Sequence, residues 1–299
     1  MSETEQWTIQ LPLMVNRAAP LINLSSLSFQ RNRRVWCATF KSVFGLSIES
    51  AVDLWILVAH DVLKAAKLTK VHFLWCLNWL KEYNTDQSSA SRFKTSPSNW
   101  RNKIWQMVRV FNKMDVIDWE SRFDNWRNLR PSCYVDGTDC PINEVRPFDP
   151  SLFSHNFKHA GLRYQVAVAI ATSKIVFVAG GVPCGQWSDL KMAQHSIVPH
   201  LKPGEKLAAD GGYVDSSVFY NKVRRPLTQA ERIQNHILNL MASRHEILNG
   251  RLKDFHILRR VFRGSMADHH LIFKAVAQIT QVKLRREPLH CILNRLIYQ

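Results

Sequence analysis

Three acidic residues stand out by type and setting: Asp136 in YVDGT, Asp210 in LAADGGY and Glu246 in ASRHEILNGR. Carboxylates brought to one point repel each other, and burying them is costly unless something positive sits among them. Hard oxygen donors of this kind suit Mg²⁺ or Mn²⁺, which prefer octahedral oxygen shells and keep some of their waters. A pair of such ions about 4 Å apart can activate an attacking water or 3′-hydroxyl and stabilise the leaving oxygen of a phosphodiester. Two bound ions shared by Asp136, Asp210 and Glu246 are therefore the expected cofactor. No set of Cys and His residues has comparable spacing.

Positioning these groups requires two strands and a helix. Asp136 and Asp210 each close a short apolar run and precede glycine, which places both at strand ends, where α/β sheets hold ligands. An Asp-Gly turn is the plain alternative for either one alone. Glu246 lies on a helical stretch whose apolar stripe is Ile237, Met241, Leu248, Leu252 and Phe255. It falls about 200° round the helix from Leu248, off the packing face. Arg244, Arg251, Lys253, Arg259 and Arg260 accompany it, so the helix is expected to grip a phosphate backbone while presenting one carboxylate. His245, beside Glu246, is a candidate for orienting that carboxylate or contacting phosphate. Asp139 reads as a turn residue and Asp189 as a helix cap.

The composition agrees with a polyanionic partner. Lys and Arg total 40 against 24 Asp and Glu, a formal charge of +16 and a pI near 9.9, which favours nucleic acid before membrane. The apolar fraction of 46% is that of a folded chain. No leader-like segment opens the sequence, and the apolar run 51–66 is too short for a bilayer and is interrupted by Asp53, His60 and Asp61. Cysteines 37, 76, 133, 140, 184 and 291 form no CxxC pair, which points to reduced thiols in an intracellular protein.

Two domains are expected, 1–130 helical and 131–299 mixed α/β. Nine of the ten tryptophans precede residue 130, and apolar residues recur at helical spacing over 34–45, 50–66 and 70–83. A short helix before SPSNWRNKIWQMVRVFNK, then a longer basic one, resembles a helix-turn-helix with Arg101, Lys103 and Arg109 outward; a plain helical hairpin fits equally. Beyond residue 131, strands are expected at CYVDG, at the hairpin 161–181 and at KLAAD. Helices are expected over 188–201, 228–258 and 266–283.

The words VDGTD, SHNFKHAGLRYQVAVAI, PCGQWSDLKM, GEKLAADGGY and SRHEILNGRLKDFHILRRVFRG resemble the DDE endonuclease domain of PIF/Harbinger-type transposases and their domesticated relatives. The resemblance covers about 134–290. It implies an RNase H-like sheet flanked by helices behind an all-helical N-terminal domain, with divalent-metal-dependent DNA cleavage and strand transfer. It places the family's two aspartates on Asp136 and Asp210 and its glutamate on Glu246. Gly211 departs from the Lys or Ser common at that point. Proteins of this type often rely on a separate Myb-like DNA-binding partner, a DNA substrate leads one to expect nuclear residence, and homo-oligomerisation stays open. Two other readings remain: a domesticated DNA-binding protein that no longer cuts, and a hydrolase of RNA or hybrids. RNRR (31–34) and KVRR (222–225) are too short to prove nuclear import.

Overall fold

The computed structural model describes residues 2–58, 60–125, 131–226 and 228–290, so the expected boundary at 130/131 abuts residues outside the described ones. The chain divides into two compact units. One comprises Met1–Val116 with Lys253–Arg260 and Leu271–Glu287; the other comprises Ile117–Leu252, Val261–His270 and Pro288–Gln299.

The first unit is helical: α1 (Glu3–Ala18), α2 (Ser28–Arg31), α3 (Arg33–Phe44), α4 (Ile48–Leu57), α5 (His60–Ala65), α6 (Lys70–Glu82), α7 (Asp86–Arg92) and α8 (Pro97–Asn112). Hydroxyl or amide side chains mark several starts. Asn32, Ser47, Thr85 and Ser96 each accept a hydrogen bond from a first-turn N–H, satisfying a donor that has no intrahelical partner. α6 is buried continuously from Phe73 to Leu80, as befits a central helix apolar on all sides. Trp36, Phe40, Phe44, Phe73, Trp100 and Phe111 are almost wholly buried in this unit. Each contributes roughly 2–3 kcal/mol by burial, which explains why tryptophan is concentrated in this half of the sequence. The hairpin expected around SPSNW is present as α7 and α8, joined through 93–96.

The second unit holds β1 (Cys133–Pro141), β2 (Phe153–Ser154), β3 (His159–Ala169), β4 (Ile175–Pro183), α9 (Asp189–His195), β5 (Leu207–Ala208), β6 (Phe219–Tyr220) and most of α10 (Gln229–Lys253). α11 (His256–Arg259) and α12 (Met266–Arg286) follow in the sequence, and α11 with the greater part of α12 belongs to the first unit. The sheet has six strands and is mixed, as the α/β expectation requires. β3 lies antiparallel between β1 and β4, and β2 pairs with the start of β3. β5 is parallel to β1, and β6 is parallel to β5. Alternation along β1 sends its side chains to opposite faces. Cys133 and Val135 meet Ala193 of α9, Ile197, and Ala167 and Ala169 of β3. Tyr134 on the other face meets Ala208, Ile170, and Leu238 and Met241 of α10. Thus each face is covered by one helix, and the sheet is buried at its centre.

Candidate active site

The register of the sheet sets the two aspartates. β1 and β5 are in register at Tyr134 and Ala208, and just before that rung the Ser132 N–H donates to the Lys206 carbonyl. Asp136 and Asp210 stand two residues beyond those partners; Asp136, still within β1, falls on the face that Tyr134 and Ala208 share, and Asp210, past the end of β5, is near enough for its charge to act on Asp136. β5 ends at Ala208, whereas β1 runs on to Pro141. Asp136 is therefore mid-strand, and the expectation that it closes a strand is corrected: β3 continues to pair with β1 as far as Pro141↔Gly161. What ends near Asp136 is the neighbour, and its departure opens the sheet beside the carboxylate.

α10 packs on this face. From the buried Met241, one turn leads to His245 and a second to Asn249. His245 Nδ1 lies 3.6 Å from Asp136 Oδ2, and Asn249 Nδ2 donates to the same oxygen at 3.5 Å. The Gly137 N–H donates to Asp136 Oδ1 at 2.8 Å. Glu246, adjacent to His245, is exposed as its position on the helix predicts. Asp210 is likewise exposed and accepts the Gly212 N–H at 2.8 Å.

The electrostatics are those of acids lacking a counter-charge. Burial, followed by the charges of Asp210, Asp189 and Glu246, pushes the Asp136 carboxyl up to about 7, against the pull of the Gly137 N–H. The nearby Tyr134 phenol is raised by burial and by the same triad of Asp136, Asp210 and Glu246. His245 provides no positive charge. It is buried, which holds its pKa down to about 4, and its Nε2 lies 3.0 Å from the Val166 carbonyl. That contact requires Nε2–H to donate, so Nδ1 presents a bare lone pair to Asp136 and is left without a hydrogen bond. Two acceptors facing each other need a proton or a cation between them.

Two further acids have assigned places. Asp139, expected in a turn, lies inside β1, where Arg163 holds it through two N–H donors at 2.7 and 3.0 Å and Ser154 donates at 2.6 Å. Burial would raise this carboxyl, but those hydrogen bonds hold it below the usual range. Ser188 is the cap of α9, and Asp189 is its first residue. A methyl group on Gly137 would overlap Asp189 Oδ1, so glycine after Asp136 is what lets a fourth carboxylate approach the strand. Burial raises the Asp189 carboxyl, while Arg163, 3.6 Å away, opposes the shift. The buried Tyr213 hydroxyl accepts from Gln165 Nε2 at 3.0 Å. Its pKa is raised by burial and then by Asp189, Asp136 and Asp210.

The basic residues divide. Arg244 is only 3% exposed and turns inward, donating to the carbonyls of Ala169 and Ile170 and to Ser173 Oγ. It clamps the end of β3, and its expected place on nucleic acid is corrected. Arg251 in the same unit is half-buried. In the helical unit, Lys253 is half-buried, Arg259 is exposed, and Arg260 is exposed while donating to the Glu82 carbonyl at 2.9 Å. On α8, Arg101 is paired with Asp86 of α7, and Lys103 donates to the Ala66 carbonyl at 3.0 Å. Of the three cations expected on an open reading face, Arg109 alone is exposed with no ion pair among the described residues.

Among the described residues, no three His, Cys, Asp or Glu side chains are drawn together tightly enough to hold a metal ion as they stand. The donor set nevertheless fits one. Asp136, Asp210 and Glu246 offer hard oxygens, the charges of the latter two act on Asp136, and none of the three has an ion pair with Lys or Arg among the described residues. The sequence signals for His245, Asn249 and Asp189 were present but ambiguous. His245 and Asn249 are four apart on α10, and Asp189 becomes legible only once Gly137 is seen to yield space to it.

Residues 135–281 match the family model described as DDE superfamily endonuclease. No curated protein matches the chain, and no solved structure does. The matched segment contains all three carboxylates.

Proposed function

We propose that this chain is a divalent-metal-dependent DNA endonuclease of the PIF/Harbinger transposase type, with Asp136, Asp210 and Glu246 as its metal-holding acids. One observation carries the reading: Asp136 and Asp210 follow the Tyr134–Ala208 rung of two parallel strands by the same two residues, and the helix that bears Glu246 packs on Asp136 through His245 and Asn249. Two Mg²⁺ or Mn²⁺ ions, when bound, would supply Lewis-acid activation of the attacking oxygen and stabilisation of the leaving one.

The chain's own residues prepare that site. The Gly137 N–H and Asn249 orient the two oxygens of Asp136. The buried His245, held neutral, stands beside Asp136 without adding a positive charge. Arg163 joins Asp139 to Asp189 and holds the fourth carboxylate against β1. Arg251, Lys253, Arg259 and Arg260 are proposed to hold the phosphate backbone, with cutting assigned to 131–299 and DNA holding shared with 1–130. Strand transfer, a Myb-like partner, homo-oligomerisation and nuclear residence belong to the same reading.

The test is Mg²⁺- or Mn²⁺-dependent cleavage of DNA, comparing the purified full chain with Glu246→Gln. Cutting by the wild type and at least a 100-fold loss in the variant supports the reading. DNA binding without cutting by either, at every metal concentration, would instead favour a domesticated binding protein.

A further inference from the structure

The helical unit contains a second basic feature, separate in sequence from the hairpin of α7 and α8. A groove of about 700 Å³ is lined by the end of α1, by α4 and α5, and by the start of α6. Its lining includes three cations, Arg17, Lys64 and Lys70, and no carboxylate among the described residues. Arg17 and Lys64 are exposed and Lys70 is half-buried. None of the three forms an ion pair among the described residues, in contrast to Arg33, Arg92, Arg101 and Arg286 of this unit, which all do.

Lys70 is the most telling member. Its ammonium lies over the Trp55 ring, 4.7 Å from the centroid, on an otherwise apolar floor. Burial, and then the like charge of Arg17, lowers its pKa. A half-buried ammonium that is repelled by a neighbouring guanidinium is destabilised until an anion enters. Lys70 is also the first residue of α6, a helix of 13 residues, and follows its cap, Thr69. The first-turn N–H groups of a helix have no intrahelical acceptor, and they favour negative charge at that end. Three side-chain cations and a helix N-terminus therefore converge on one groove whose volume admits a sugar-phosphate unit.

We propose that this groove is a phosphate-binding site that holds a segment of DNA backbone, gripped by Arg17, Lys64 and Lys70 at the start of α6. This rests on the reading of the chain as a DNA-acting protein and adds the surface by which the helical unit takes part. The sugar-phosphate strand lies along the apolar floor, with phosphate oxygens accepting from the three side chains and from the first turn of α6. The contact is independent of sequence, because it is made to phosphate.

The experiment measures duplex DNA affinity of the full chain by fluorescence anisotropy from 50 to 200 mM salt. It compares the wild type with Arg17→Ala/Lys64→Ala/Lys70→Ala, with Lys64→Glu alone and with Arg101→Ala. Three lost phosphate contacts reduce the slope of log K against log salt by about 2.7. The wild type should therefore lose roughly 40-fold more affinity than the triple variant across that range. Lys64→Glu, an exposed change on a short helix, keeps the fold and should weaken binding in the same direction. Arg101→Ala, whose cation is already paired, should leave the slope unchanged. Equal slopes for the wild type and the triple variant would remove the groove from the DNA contact while leaving the nuclease reading intact. Absence of any DNA binding by the wild type would overturn both. Inorganic phosphate at millimolar concentration is the third arm. If it binds the wild type and not the triple variant while their DNA slopes agree, the groove holds free anions only and the proposal fails.

Discussion

Replacing Asp136 by Asn should stabilise the metal-free protein, an unusual outcome for a residue at the centre of a site. The carboxyl is pushed to about 7 from its ordinary 3.8, a gap of about three pH units. With the side chain only 22% exposed, that gap corresponds to about 4 kcal/mol against the ionised form. The sign follows from which state binds the proton more tightly. The folded protein holds the proton on Asp136 at a pH where the unfolded chain has released it. Stability from this group is thus complete below pH about 4 and is lost as pH rises through about 7. Asp136→Asn mimics the protonated form at every pH, and its amide can donate to the otherwise unpartnered His245 Nδ1. Denaturant melts in EDTA should show the two proteins equal near pH 4. The variant should be more stable by up to about 4 kcal/mol at pH 8. Adding Mg²⁺ at pH 8 should recover wild-type stability and leave Asp136→Asn unmoved, because only a ligand bound to the native state stabilises it. A variant no more stable than wild type in EDTA at pH 8 would refute the claim that these carboxylates lack a counter-charge.

Other substitutions separate the site from its supports. Gly137→Ala places a methyl group on Asp189 Oδ1 and should cost roughly 1–3 kcal/mol, with metal-induced stabilisation reduced as well; a variant with unchanged melts and metal response would show that Asp189 can move aside freely. Arg244→Ala strips donors from two buried carbonyls and should lower stability by about 3 kcal/mol with the salt slope of DNA binding unchanged; a shallower slope in titration would return Arg244 to the phosphate contact.

The long elements were readable because their signals repeat. The strands of the 161–181 hairpin, the helix bearing Glu246 and the capped helix from Pro97 carry several residues of consistent periodicity, so one ambiguous residue does not change the assignment. The mixed α/β class follows from their order. What was not readable depends on partners distant in sequence. Arg244 and Arg251 both read as cations on a basic helix, but two carbonyls at the end of β3 draw Arg244 inward. Asp139 looked like a turn residue because DGTD is turn-like in composition; antiparallel pairing with β3 and the guanidinium of Arg163 override that preference. Lys103 reads as solvent-facing from its helix alone and becomes a carbonyl cap only when α5 ends beside it. The aspartate pair was visible as two Asp-Gly words, whereas their common offset from one paired rung required the register of β1 and β5.

The first compact unit reclaims chain after a long interval: Met1–Val116 is completed by Lys253–Arg260 and Leu271–Glu287. Ile272, Phe273, Val276, Ile279 and Val282 of that late segment are all buried. During synthesis from the N-terminus, α1 to α8 leave the ribosome long before these apolar partners exist. At 5–20 residues per second, the interval lasts on the order of ten seconds, far longer than helices or small cores take to form. The helical half must therefore wait, with apolar surface uncovered, while every strand of the sheet is made. A nascent chain arrested before α12 should be a substrate for chaperones that bind exposed apolar segments, and its release from them should depend on the final turns of that helix.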